Sequence, residues 1–154
     1  MLKYLAITVL ITISLVGCRD DLFYTQSYDI ENYIWGVEDV KEFTFNITDT
    51  SKVYMWFVDI RHTGDFEFAN FYVFPKRISP NGKTYTDTLN IPLADPAGRW
   101  YGKGLGDILD NRVLWKKDVK FPQQGKYVFE LEQGSRETEL EGVVNIGFSM
   151  YEYK

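Results

Sequence analysis

The chain has 154 residues, 22 Asp and Glu against 17 Lys and Arg, a single His and a net charge of −5. That length suits one domain with an ordinary core. The acidic balance excludes the basic stripe that nucleic acid requires and an electrostatic grip on anionic lipid. The lone cysteine, Cys18, excludes an intrachain disulfide, and with only one histidine it leaves no zinc site of Cys and His.

The first predicted element is N-terminal. Lys3 gives a positive start, and Tyr4 to Val16 is an uncharged run. The run is shorter than the roughly 20 apolar residues that span a bilayer, and it has the length of a signal-peptide core. Leu15-Val16-Gly17-Cys18 resembles the bacterial lipobox, which ends in an acylated cysteine. Residues 1–17 therefore read as a lipoprotein signal peptide, residues 18–32 as a lipidated tether and residues 33–154 as the folded domain. Stable anchoring takes two lipid signals, because one acyl chain holds only marginally; a multiply acylated Cys18 meets that need. Its removal to acyl chains leaves the mature domain free of thiols.

Beyond the tether the apolar period is two. Phe43 to Ile47 alternates as a half-buried strand, and Asp49 to Lys52 is a turn. Val53 to Ile60 and Glu67 to Phe74 are apolar on both faces, which predicts central strands covered on each side. Pro75 is expected to end the pairing, since it has no N–H. Pro80-Asn81-Gly82 reads as a hairpin turn, followed by a strand over Tyr85 to Ile91. Residues 94–112 carry Gly98, Gly102, Gly104 and Gly106 and form the longest irregular segment, with a weak helical period over 105–114. Val113 to Trp115 is left open between a short strand and a helical remnant. Tyr127, Phe129 and Leu131 mark one more strand. The last runs from Val143 to Tyr153, with Val144, Ile146, Phe148 and Met150 inward. About seven or eight strands with turns between them predict an all-β, antiparallel β-sandwich, jelly-roll-like in arrangement.

Catalytic chemistry finds little support. His62 with Asp59 or Asp65 could form a base, but no serine or threonine sits on a strained glycine elbow to serve as its nucleophile. The stretch from Asp95 to Asn111 fails both the phosphate-loop and the dinucleotide spacing. Asp107, Asp110 and Asn111 offer oxygens without EF-hand spacing. The reading is of a non-enzyme with no cofactor and no metal. The glycine-rich loop is the first candidate interaction surface, with Trp100 and Tyr101 as aromatic anchors. A carbohydrate-binding sandwich is the alternative, with Trp35, Trp100 or Tyr101 as a sugar-stacking platform.

The whole precursor resembles the GldH lipoprotein family of Bacteroidetes. The resemblance rests on the lipobox at Cys18, on Trp35, and on "FTFNITDTSKVYMWFVDIRHTGDFEFANFYVF" with Arg61, His62 and Asn70. It continues through "GRWYGKGLGDILDN" and "FPQQGKYVFELEQGSRETELEGVVNIGFSMY" with Arg136. What it implies is a non-catalytic protein held to the cell envelope by lipid, palmitate included, at the outer membrane. Such a protein supports gliding motility and type IX secretion through protein partners. Arg61, His62, Asn70, Trp100, Gly102, Gly104, Asp107 and Arg136 are the positions matching the family's motifs. Gly134-Ser135 departs from the bulkier apolar residue expected before that arginine.

Overall fold

The computed structural model describes residues 21–153; the signal segment and Cys18 lie outside them. Among the described residues there are eleven strands and a single 3-10 turn. Two antiparallel sheets face each other. The first holds β1 (Leu22–Asp29), β11 (Val143–Tyr153), β4 (Val53–Thr63) and β8 (Ile108–Val119), in that order. The second runs β3 (Lys41–Ile47), β9 (Gly125–Gln133), β5 (Asn70–Ile78) and β6 (Thr84–Thr86), with β7 (Leu89–Pro92) also on β5. A small third pair, β2 (Ile34–Gly36) and β10 (Glu139–Glu141), adds Trp35 and Leu140 to the core.

Alternation builds the interior. Phe43, Phe45 and Ile47 of β3, Tyr127, Phe129 and Leu131 of β9, and Ile146, Phe148 and Met150 of β11 are all buried. Phe129 and Phe148 stack across the two sheets with centroids 4.9 Å apart, and Trp56 meets Phe129 edge-on at 4.8 Å. The high aromatic content is thus spent mainly on filling a thiol-free core with large, well-oriented rings.

Several expectations are corrected. The segment read as tether contains β1, which pairs with β11 from Leu22 onward. Its inward side chains Tyr24, Gln26 and Tyr28 carry polar tips, joined in a chain that ends on the Glu42 carbonyl. No hydrophobic alternation therefore shows in the sequence. Pro75 does not end β5. Its carbonyl accepts from Asp87 N at 2.9 Å, so the side where its missing N–H would point faces the break between β6 and β7. For the same reason the strand read over Tyr85 to Ile91 is two short strands. β8 is one long strand: Val113 to Trp115, left open between strand and helix, are strand, and residues 108–112, read as the end of the irregular segment with a helical period, belong to it too. A bulge between Val143 and Asn145 turns Val143 inward in place of Val144. The outer faces of β4 and β5 are also less covered than expected. Met55 and Phe57 are half-buried, while Tyr72 and Phe74 are exposed.

Candidate functional site

The loop between β7 and β8 folds down on the end of β4. Its first part is a tight turn. Asp95 Oδ1 accepts from the backbone N–H of Ala97 and Arg99, both at 2.9 Å, and Arg99 Nε reaches Asp95 Oδ2 at 2.7 Å. These donors, the Arg99 amide first, hold the Asp95 carboxyl below the usual carboxylate range. Gly98 closes the turn at φ +79°. Ala94 and Trp100 then bridge, as do Lys103 and Asp110, and Gly64 N donates to the Asp107 carbonyl at 2.6 Å. The backbone is thus tied at Asp95, Gly98, Tyr101, Lys103 and Asp107.

Two of the glycines serve close approach. A Cβ on Gly104 would stand 1.8 Å from the Ile108 carbonyl oxygen, and one on Gly102 would stand 2.7 Å from Asn111 Nδ2. Gly98 and Gly106 supply the positive φ angles of the turns instead.

Beneath the loop lies His62, fully buried on the inner face of β4. Trp100 packs on it edge-on at 4.8 Å, and Phe66 lies 5.4 Å from its ring. Trp100 Nε1 donates to the Gly64 carbonyl at 3.2 Å. His62 Nδ1 donates to the Thr63 carbonyl at 2.8 Å, while Nε2 has no partner among the described residues. Burial holds the imidazole below its ordinary pKa, and the Thr63 carbonyl opposes this in part. A neutral ring walled by aromatics suits packing, not proton transfer.

The sequence candidates therefore divide. Trp100, Gly102, Gly104 and Asp107 come together with His62 in one pinned corner. Trp35 does not join them. It is 0% exposed, stacked on Phe71 at 5.8 Å, with its indole N–H donating to the Asp39 carbonyl at 2.7 Å. A ring so enclosed cannot present a face to a sugar, which removes Trp35 from the stacking platform. Trp100 is half-buried against His62 and keeps little free face. What the loop does expose is Tyr101, at 56%, and Leu105, at 96%. Leu105 was missed because one leucine among glycines carries no periodic signal.

Arg61 lies on the outer face of the first sheet, paired with Asp110 across to β8. The next rung pairs Arg112 Nε with Asp59 Oδ1 at 2.6 Å, and Ser149 Oγ donates to Asp59 Oδ2 at 2.6 Å. Asp59 also raises the already high Arg112 pKa. These charges are satisfied within the face. Asn70 donates to Asn90 Oδ1 at 3.0 Å, tying β5 to β7. Arg136 is exposed on the β9–β10 connection beside Gly134. That glycine lets the connection lie over β5: its N–H donates to the Tyr72 carbonyl at 2.8 Å, and a Cβ would come 3.1 Å from Phe74 Cζ. The small residue that departs from the expected pattern thus has a steric reason. Cys18 lies outside the described residues. None of the described Cys, His, Asp and Glu residues forms a group of three or more that could hold a metal ion.

Comparison with known proteins gives a consistent picture. The family described as GldH lipoprotein matches residues 22–150. A gliding motility lipoprotein GldH homolog of Christiangramia forsetii is 32% identical over 121 residues, covering 74% of this chain and 75% of the relative. The gliding motility lipoprotein GldH of Flavobacterium johnsoniae is 30% identical over 154 residues, covering 96% and 95%. Among solved structures, the infectious bursal disease virus VP2 subviral particle is similar at a TM-score of 0.36 and 12% identity. The match covers 85% of this chain but only 33% of the viral one.

Proposed function

This chain belongs to the GldH lipoprotein family, and on that footing we propose that it is an accessory protein of the gliding and type IX secretion machinery. It is anchored through acylated Cys18 at the outer membrane and acts by docking to other envelope proteins. The lipobox reading of Leu15 to Cys18 supports the anchor. The observation that carries the docking reading is the presentation of Tyr101 and Leu105, two large apolar side chains standing in water on a loop tied down at Tyr101, at Lys103 and at Asp107 on either side of Leu105. Ordering a loop on binding costs free energy, and a loop ordered beforehand avoids that cost. Exposed ring and leucine side chains then supply the buried centre that an interface needs. Trp100, read from the sequence as an anchor, serves as the pin.

The test uses the acylated full chain, purified in detergent from its own membranes. Envelope proteins should co-purify, and the double variant Tyr101→Ser, Leu105→Asp should lose them while keeping its abundance and its fatty-acid label. Recovery of no envelope protein above a bait-free control contradicts docking. Label retained in Cys18→Ala contradicts the anchor.

A further inference from the structure

A second surface, on the opposite sheet from the charged ladder, has no role in the reading above. Phe68, Tyr72 and Phe74 line a groove of about 570 Å³, closed at one side by Gly134 and Arg136. Tyr72 and Phe74 are exposed although they stand in the middle of a central strand. An apolar alternation on both faces of β5 is not needed for folding when only one face enters the core. Uncovered rings of this size, grouped together, mark a contact surface.

The groove does not stop at the rings. It shares Phe68, Glu137 and Leu140 with an adjoining cleft of about 340 Å³. Asp65, Glu67, Glu137, Glu139 and Glu141 line or border that cleft. None of these five carboxylates has an ion pair among the described residues, although seven other acids do. Among the described residues Arg136 is the one cation lining the groove and the cleft together, so the five acids leave a local excess of negative charge that a partner's cation would offset.

We propose that this continuous groove receives an extended segment of a partner protein. An apolar or aromatic side chain of the segment sits on Phe68, Tyr72 and Phe74, and an adjacent Lys or Arg faces the carboxylates. The charge complementarity selects this occupant over others. A neutral glycan would stack on the rings but gains nothing from five acids. A second copy of this chain, net charge −5, would bring acid against acid if two grooves met. The surface is separate from Tyr101 and Leu105, so its test stands apart from that of the loop.

The test is a selection of displayed random peptides on the full-length acylated chain in detergent micelles, followed by affinity measurement on synthetic copies of the enriched peptides. Enriched sequences should combine aromatic or aliphatic residues with a neighbouring Lys or Arg. Their affinity should fall about tenfold or more in Phe74→Ser and in the double variant Glu139→Lys, Glu141→Lys, and should weaken with added salt. Both variants change exposed side chains, and an unaltered melting temperature confirms their folds. Enrichment without basic residues, affinity unchanged in both variants, or no enrichment at all overturns the proposal. So does a glycan that binds the groove and is lost in Phe74→Ser, or self-association abolished by the same change.

Discussion

His62 and Trp100 meet edge-on with ring centroids 4.8 Å apart, one from inside β4 and the other from the glycine-rich loop. This contact joins the loop to the core. It helps a stretch with four glycines keep its shape, and with the Tyr101 amide bonded to the Leu93 carbonyl it fixes where the exposed Tyr101 leaves the loop.

Replacing Trp100 with Ala removes that contact together with the bond to the Gly64 carbonyl. The expected cost is about 1–2 kcal/mol of stability from lost burial and ring pairing. Hydrogen exchange should also speed up at Tyr101 and Lys103, whose amides bond to Leu93 and Asp110, while the amides of β9 keep their protection. Uniform loosening of the whole sandwich would mean that the ring contact is not a local pin.

His62 makes stability depend on pH in a defined direction. Its folded pKa lies below the ordinary 6.5, so the unfolded chain binds the proton first as pH falls. The contribution is fully present above 6.5 and is lost as pH drops from there through the folded value. The melting temperature should therefore decline below about pH 6.5, before the low-pKa carboxylates Asp87 and Asp95 begin to titrate. His62→Gln should flatten that first part of the curve, whatever its effect on stability near neutral pH. An unchanged slope in the variant would assign the dependence to other groups.

Gly104→Ala should cost about 1–3 kcal/mol, because the new methyl lands within the Ile108 carbonyl and the backbone must move. Gly36→Ala, where nothing lies within 4 Å, should stay within about 0.5 kcal/mol of the parent. Chemical denaturation of the three proteins measures both. Equal stabilities would show that the loop and the start of β8 are not in close contact.

The sandwich is legible in the sequence wherever alternation pairs apolar with polar residues, as in β3 and β9. It blurs where the inward face is itself polar. Tyr24, Gln26 and Tyr28 hide β1, and Asn111, buried in β8, makes that strand look irregular. The loop is visible as a glycine-rich interruption, but the division of labour inside it is not. Trp100 and Tyr101 are neighbours of similar character, and only the third dimension sends one onto His62 and the other into water. Trp35 illustrates the same limit from the other side. An aromatic residue near a domain start reads equally as platform or core, and stacking on Phe71 decides for core. The acid-rimmed groove is the least legible feature, because Asp65 and Glu67 lie about 70 residues before Glu137, Glu139 and Glu141 in the chain, and only the fold brings the two segments together.

Site-specific photo-crosslinking in living cells tests the docking account most directly. A photoreactive residue is placed at position 105 of the acylated chain, and at Thr44 on the exposed side of β3 as a control. The account expects a discrete adduct with an envelope protein from position 105 and none from position 44. Adducts of equal yield from both positions, or none from position 105, would contradict it.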